Sequence, residues 1–217
     1  MTYREPMTWK PMALALETDR LTLRLRDERD AGWYRELVGE RGTETITLEE
    51  ATARLARFRD LGTEIGIGAL TIRRRVEGDA IGYCALVVGR CSLDEPELAY
   101  ELLQRFHGHG YATEAAQALV AAAAATGRRR LWSTVRSWNT ASLRVLEKLG
   151  FHRDHVDADD LGEIVYLVRD LQAPPVGPHP NPLAASASRP SPAPGMRGPT
   201  PGHVPDLRPR TAPRRSP

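Results

Sequence analysis

Residues 105–112 read Arg-Phe-His-Gly-His-Gly-Tyr-Ala and stand between a strand-like run and an alanine-rich segment. Two glycines one residue apart let the backbone turn sharply and approach a ligand closely, because neither carries a side chain. The amides of such a turn, together with the unpaired N–H groups that begin a helix, form a concave positive site suited to a pyrophosphate. This stretch therefore predicts an anion site between a strand and a helix.

The segments on either side have the periodicity that this prediction needs. Residues 97–103 (Glu-Leu-Ala-Tyr-Glu-Leu-Leu) largely alternate polar and apolar side chains, as a strand with one covered face does. Residues 113–126 consist almost entirely of helix formers, and Gly127 stands at a natural C-cap position. Strand, glycine turn and helix thus follow in the order that a phosphate cradle requires.

Two nucleotide-binding motifs share this order but do not fit the sequence. The dinucleotide-binding fingerprint requires a third glycine three residues after the second, and that position holds Thr113. The phosphate loop of nucleoside triphosphatases requires Gly-Lys-Ser/Thr, and no such triplet follows the turn. The anion is therefore expected to belong to another kind of ligand.

A second motif follows a strand-like run at residues 131–135. Residues 139–151 read Asn-Thr-Ala-Ser-Leu-Arg-Val-Leu-Glu-Lys-Leu-Gly-Phe, which predicts a short helix that Asn139 or Thr140 caps and Gly150 ends. Together with the glycine turn, this helix resembles the corresponding segment of the GNAT superfamily of acetyl-CoA-dependent N-acetyltransferases. In that superfamily the signature Arg/Gln-x-x-Gly-x-Gly/Ala holds the pyrophosphate of the cofactor. The matching residues here are Arg105, Gly108 and Gly110.

The beginning of the chain extends the resemblance. Residues 18–24 predict a strand with Leu21, Leu23 and Leu25 on one side, and they look like the first strand of the branch that contains the ribosomal-protein N-terminal acetyltransferases. That branch shows Glu-Ile-Gly-Tyr, which is similar to residues 97–100, and Gly-Tyr-Ala-Thr-Glu-Ala, which residues 110–115 repeat. The resemblance covers about residues 16–171.

The resemblance implies an α/β (α+β) GNAT fold, with a mixed sheet of about six to seven strands flanked by helices. It also implies acetyl-CoA as the co-substrate and a splayed strand pair at its site. No metal is expected, because no acidic or cysteine side chain is spaced to complete a metal shell with His107 and His109. Contacts with the cofactor are expected from the end of one strand, the glycine turn, the first turn of the next helix and the capped helix. These residues are Leu102, Leu103, Gln104, Arg105, His107, Gly108, His109, Gly110, Tyr111, Ala112, Thr113, Asn139, Ser142 and Arg144.

Catalytic roles are also assigned through the resemblance. Glu97 matches the motif glutamate of the branch and is the preferred base, and Glu101, on the same strand face, is the second candidate. Many GNAT enzymes place a proton-donating tyrosine where this chain has Leu146, which cannot donate a proton. In the N-terminal acetyltransferase branch a serine takes that role, which makes Ser142 the predicted donor to the leaving thiolate.

The remaining elements are predicted from local pattern. Helices are expected at residues 30–39 and 47–60, the second with a Thr47–Glu50 capping box. Residues 66–75 and 80–89 predict a hairpin around a glycine-bearing turn. Residues 152–157 and 163–169 predict two closing strands.

Composition and the extent of the resemblance divide the 217 residues into three parts. Residues 1–15 are expected to be an N-terminal extension, 16–171 the acetyltransferase domain, and 172–217 a disordered tail that holds 14 of the 17 prolines. The tail carries six arginines and one aspartate, for a charge of +5, and the rest of the chain carries −3. A domain of this sign predicts no strong nucleic-acid binding.

Other features bound where the protein acts. No apolar run is long enough for a membrane span, and the first residues do not resemble a signal peptide. Cys84 and Cys91 are too few for a disulfide framework, so a cytoplasmic protein is expected. The excess of arginine over lysine indicates a GC-rich bacterial genome.

The sequence therefore predicts an N-acetyltransferase, a monomer or homodimer, that acetylates a primary amine by direct attack. The acceptor is either a protein N-terminus or a small molecule. The alternative is a non-catalytic module that binds acyl-CoA.

Overall fold

The computed structural model describes residues 9–42 and 44–171. Residues 1–8 and 43 lie outside the described part of the chain, as does the tail predicted at 172–217.

Within these ranges the chain forms an eight-stranded sheet and four α-helices. The strands are β1 (Ala15–Glu17), β2 (Leu21–Leu25), β3 (Ala69–Arg74), β4 (Ala80–Val87), β5 (Glu97–Leu102), β6 (Arg130–Arg136), β7 (His152–Asp159) and β8 (Gly162–Asp170). The helices are α1 (Ala31–Glu40), α2 (Leu48–Ile65), α3 (Tyr111–Ala125) and α4 (Thr140–Lys148).

The sheet is mixed, with the strand order β1-β2-β3-β4-β5-β6-β8-β7. All neighbouring strands are antiparallel except β5 and β6, which run parallel. The mixed α/β sheet flanked by helices that the sequence predicts is confirmed. The strand count exceeds the predicted six to seven because Ala15–Glu17 pairs with β2, and three residues are too few to show a strand periodicity.

The helices cover the two faces of the sheet unequally. On one face α3 and α4 pack against side chains such as Leu98 of β5. On the other face α1 and α2 pack together, and Leu37 of α1 shares a hydrophobic core cluster with Tyr83 and Ala85 of β4. β4 is buried on both faces, which explains why it reads as a nearly continuous apolar run rather than as an alternating one.

The helix ends follow local chemistry. Thr47 and Glu50 form the predicted capping box at the start of α2. This helix continues five residues beyond the predicted end, to Ile65, and stops at Gly66, which adopts a left-handed φ of 71°. None of the helices in the described ranges combines the length and apolarity that a bilayer crossing requires.

The domain begins earlier than residue 16. Trp9 and Met12, assigned from the sequence to an extension, are buried against the domain. The Lys10 N–H donates to the Thr126 carbonyl at 2.8 Å, and the Met12 N–H donates to the Gly66 carbonyl at 2.9 Å. These contacts bind residues 10–12 to the C-terminal ends of α3 and α2. Backbone bonds of this kind leave no periodic pattern of side chains in the sequence.

Candidate active site

A fork between β5 and β6 is the main feature of the site. The only pairing between these strands in the described chain is Glu97 with Trp132, supported by a hydrogen bond of 3.0 Å from the Trp132 N–H to the Pro96 carbonyl. The Ser133 hydroxyl then donates to the Leu98 carbonyl at 3.0 Å. Beyond this point the strands separate, so one edge of β5 presents backbone groups to the gap. The predicted splayed strand pair is confirmed.

The glycine turn lies at the open end of this fork, between β5 and α3. Gly108 and Gly110 have φ values of 80° and 79°, in the left-handed region that favours glycine. Gly110 directly precedes α3, whose first N–H groups have no helical partner. The position that a Cβ of Gly108 would occupy has no heavy atom within 4 Å, so the turn is open toward a ligand.

Contacts from α1 and from β5 hold this turn in place. Residues 104–106 form a 3-10 turn, and the Gln104 N–H donates to the Glu40 carboxylate at 2.8 Å. Arg105 forms an ion pair with Glu36 of α1. The His107 Nε2 lies 2.9 Å from the Leu102 carbonyl, so the imidazole serves as donor in this pair. Arg105 and His107, both predicted cofactor contacts, therefore bind protein groups in this structure.

The start of α4 lies across the gap from β5. Asn139 caps this helix, because its Oδ1 accepts a hydrogen bond of 3.1 Å from the Ser142 N–H. Ser142 is half-buried, whereas Arg144 is exposed. The predicted donor thus stands in the first turn of α4.

Tyr100 is a residue of this site that sequence reasoning did not assign. Its phenol donates a hydrogen bond of 3.1 Å to the Ser142 carbonyl, which joins β5 to α4. Burial raises the pKa of the Tyr100 phenol, so it stays protonated over the physiological range. Strand alternation places Tyr100 on the face opposite Glu97 and Glu101, and that alternation was the signal available in the sequence.

Glu97 is buried at the closed end of the fork, with 2% of its surface exposed. Its Oε1 accepts hydrogen bonds from the Thr134 N–H at 2.9 Å and from the Thr134 hydroxyl at 2.8 Å. Its Oε2 accepts a bond of 3.4 Å from the Arg90 N–H. The carboxylate therefore satisfies an N–H group of β6 that strand pairing leaves unmatched where the strands diverge.

The GNAT acetyltransferase domain family matches residues 20–152, a range that includes the fork, the glycine turn and α4. The chain belongs to this family. It is an acyltransferase of the GNAT type, and GNAT acetyltransferases use acetyl-CoA as their co-substrate. A comparison with curated proteins finds no match.

Solved GNAT structures share the fold over most of their length. A GNAT-family acetyltransferase from Bordetella pertussis is 25% identical with a TM-score of 0.63, over 72% of this chain and 99% of that one. An acetyltransferase from Agrobacterium tumefaciens str. C58 is 29% identical with a TM-score of 0.61, over 76% and 98%. RimL, a ribosomal L7/L12 acetyltransferase in complex with coenzyme A, is 18% identical with a TM-score of 0.66, over 74% and 99%.

The second candidate base of this GNAT site, Glu101, is paired with a cation. The Arg41 Nε lies 2.9 Å from Oε1 and 3.2 Å from Oε2 of Glu101. Both side chains are mostly buried. Burial opposes the charge of Arg41, but the hydrogen bonds and charge of Glu101 outweigh it and raise the pKa of Arg41. Glu101 therefore neutralises a buried arginine beside the fork.

Arg20 is a second residue that the sequence did not single out. Its Nη1 donates to the His109 carbonyl at 3.1 Å, and its guanidinium lies 4.6 Å from the centroid of the Tyr111 ring. Glu114, in the first turn of α3, pairs with this guanidinium at 2.6 Å. Half of the Arg20 side chain remains exposed, which leaves a cation beside the glycine turn. Arg20 lies just before β2 and far from the glycine turn in sequence, so no local pattern could predict that the two would meet.

Proposed function

We propose that this GNAT enzyme acetylates a primary amine, of a protein N-terminus or of a small molecule, by direct attack on acetyl-CoA. The observation that carries the proposal is the fork between β5 and β6, which opens directly onto the glycine turn. The pantetheine arm of acetyl-CoA can hydrogen-bond to the free edge of β5 as an added strand would. A pyrophosphate can bind the turn and the first turn of α3.

The residues of the chain fit acetyl-CoA in both places. Left-handed glycines with open space beside Gly108 provide a cradle for phosphate oxygens. Arg20 adds an exposed cation next to it, and the backbone of Leu102, Leu103 and Gln104 leads from the fork to the turn. Acetyl-CoA supplies the acetyl group as a thioester.

Proton transfer follows from the groups around the fork. The amine must attack in its neutral form, and its proton must pass to a carboxylate. We assign this role to Glu97, which the Thr134 hydroxyl connects to the fork. As the nitrogen–carbon bond forms and the carbon–sulfur bond breaks, the leaving thiolate takes a proton from Ser142, whose backbone is fixed by Tyr100 of β5. The proton that Glu97 gained then passes through water to restore the Ser142 hydroxyl. Backbone N–H groups on the free edge of β5 stabilise the oxyanion.

The setting of this reaction is proposed to be a bacterial cytoplasm. Cys84 and Cys91 are both free thiols, as expected in a reducing compartment. The similar structures named above include bacterial proteins.

Thiol release from acetyl-CoA tests the proposal. With a panel of amines, we expect acceptor-dependent release of free CoA and a product heavier by one acetyl group in mass spectrometry. Acetyl-CoA, but not NAD or ATP, should raise the melting temperature, because only a ligand of the native state stabilises it by mass action. Binding of acetyl-CoA without turnover of any amine would contradict the proposal and favour a non-catalytic acyl-CoA module.

A further inference from the structure

Arg26 is a buried cation on the face of the sheet that α1 and α2 cover. It directly follows β2, and 4% of its surface is exposed. Its guanidinium carbon lies 4.9 Å from the ring centroids of both Tyr34 and Tyr83 and 5.3 Å from that of Phe58. Three aromatic rings thus surround the guanidinium and stabilise its charge through their faces.

The hydrogen-bonding capacity of this guanidinium is unused within the described chain. Its Nε is sealed from solvent and has no partner. Among the described residues, the only hydrogen bond that Arg26 donates runs from its backbone N–H to the Ala69 carbonyl at 2.9 Å. Burial lowers the pKa of Arg26, but an arginine stays cationic at neutral pH. A buried cation without hydrogen bonds is costly, which marks this group as one that a ligand could complete.

Neighbouring carboxylates do not meet this need, because each is already paired. Asp30 Oδ1 accepts from the Arg73 guanidinium at 2.6 Å and from the Trp33 indole at 2.8 Å. Asp30 Oδ2 accepts from the Thr71 hydroxyl at 2.6 Å. Glu101, the acid opposite Tyr83, is held by Arg41 through three hydrogen bonds. Arg73 and Arg41 thus balance these two carboxylates, and the positive charge of Arg26 has no partner among them.

This cation lies next to the proposed reaction site. Tyr83, which contacts Arg26, stands directly opposite Glu101 in the register of β4 and β5. On the other face of β5, the Tyr100 phenol is bonded to the Ser142 carbonyl of α4. On the face of α1 and α2, Arg26 is therefore one aromatic ring away from Glu101, which lies beside the fork.

We propose that Arg26 binds a carboxylate of the acceptor, so that the acceptor is an amine that also carries a carboxylate. This inference rests on the proposed acetyl transfer to an amine. A planar guanidinium presents paired N–H donors that match the two oxygens of a carboxylate. The carboxylate belongs either to a free amino acid or to an acidic side chain next to a peptide N-terminus, and the chemistry at Arg26 is the same.

Matched acceptor pairs test the proposal and separate the two sources. The small-molecule pair is alanine and alaninamide; the peptide pair is Ala-Asp-Ala-Ala and Ala-Asn-Ala-Ala, both amidated at the C-terminus. The readout is the ratio of kcat/KM for the acid to that for its amide, in the wild type and in Arg26→Met. We expect the variant to lower this ratio about tenfold or more in one pair, as loss of a charge-assisted hydrogen bond would. The pair that responds identifies the source.

Arg24→Ala is the control, because Arg24 is an exposed arginine of β2 that pairs with Glu17, and it should leave both ratios unchanged. Arg26→Lys keeps the positive charge but lacks the paired N–H donors of the guanidinium, so it should lower the ratio less than Arg26→Met does. If Arg26→Met does not fold, Arg26→Lys alone provides the test. Unchanged ratios in the folded Arg26 variants would overturn the proposal.

Equilibrium binding separates this inference from the proposed catalysis. If no amine is acetylated, the proposed function fails, but the acids should still raise the melting temperature of the wild type more than their amides do, and Arg26→Met should remove the difference. Equal shifts by acid and amide in the wild type would overturn the role of Arg26 on their own.

Discussion

The Tyr100 phenol of β5 donates a hydrogen bond of 3.1 Å to the Ser142 carbonyl in the first turn of α4. This bond ties the strand edge that would bind the thioester to the helix that carries the proposed proton donor. The position of α4 relative to β5 is therefore set in part by one side chain.

Removal of this hydroxyl should affect both stability and rate. Tyr100→Phe keeps the buried ring but deletes the donor, so we expect the free energy of unfolding to fall by ~1 kcal/mol, as for a typical internal hydrogen bond. Because Ser142 loses its fixed position, kcat should fall several-fold while the affinity for acetyl-CoA changes little. Urea unfolding and steady-state kinetics measure the two effects. Tyr166→Phe on β8 is the control, and an equal loss of kcat there would remove Tyr100 from the site.

The glycine turn can be tested against a glycine with the same conformation elsewhere. Gly108 and Gly78 have φ values of 80° and 74°, and neither has a heavy atom within 4 Å of a would-be Cβ. Substitution by alanine should therefore lower the free energy of unfolding by about 1–2 kcal/mol at each position, because an L-residue is strained in the left-handed region. Gly78 lies in the turn between β3 and β4, so only Gly108→Ala should also weaken acetyl-CoA binding, measured by calorimetry. Equal affinities in the two variants would argue against a phosphate cradle at the turn.

The fold was largely accessible from the sequence because its main signals are local. The glycine pair, the Asn139 cap and the Thr47–Glu50 box each act within a few residues, and each has the expected geometry. The branch motifs also placed the fork correctly, since Glu97 stands where β5 and β6 diverge. Periodicity and capping could thus predict the elements and their order.

What the sequence could not predict are partnerships between distant segments. Arg41 lies in the chain far from Glu101, yet the two form a buried pair. Arg20 reaches the glycine turn only because Glu114 of α3 holds it there. Arg26 directly follows β2, where a charged residue is expected to be exposed, yet it is buried. Tertiary packing creates these contacts, and no periodicity records them.

The role of Glu97 can be separated from its structural bonds. Glu97→Gln keeps a side-chain oxygen that can accept the hydrogen bonds from Thr134, but its amide cannot act as a base. We expect kcat to fall at least about tenfold, because a general base typically contributes ~10²–10⁴-fold. Glu163→Gln, at an exposed position of β8, is the control. A kcat within about twofold of the wild type, with a lowered melting temperature, would show that Glu97 only joins the strands.

The pH dependence of stability should report the contact between β6 and the turn that joins β7 to β8. Arg136 donates to Asp159 at 2.6 Å and 2.9 Å, and the Leu161 N–H donates to Asp159 at 2.9 Å. The hydrogen bond with Arg136 and that with Leu161 lower the pKa of Asp159 from 3.8 to about 2. The folded state therefore favours the ionised carboxylate more than the unfolded chain does.

This contribution should be complete above pH 3.8 and should be lost as the pH falls toward about 2, where the folded carboxylate takes up a proton. Asp159→Asn should consequently lower the melting temperature at neutral pH, and its difference from the wild type should shrink through this acidic window. Asp160→Asn is the control, because Asp160 is the adjacent exposed aspartate. A difference between Asp159→Asn and the wild type that stays constant down to pH ~2 would show that the lost contribution is not ionic.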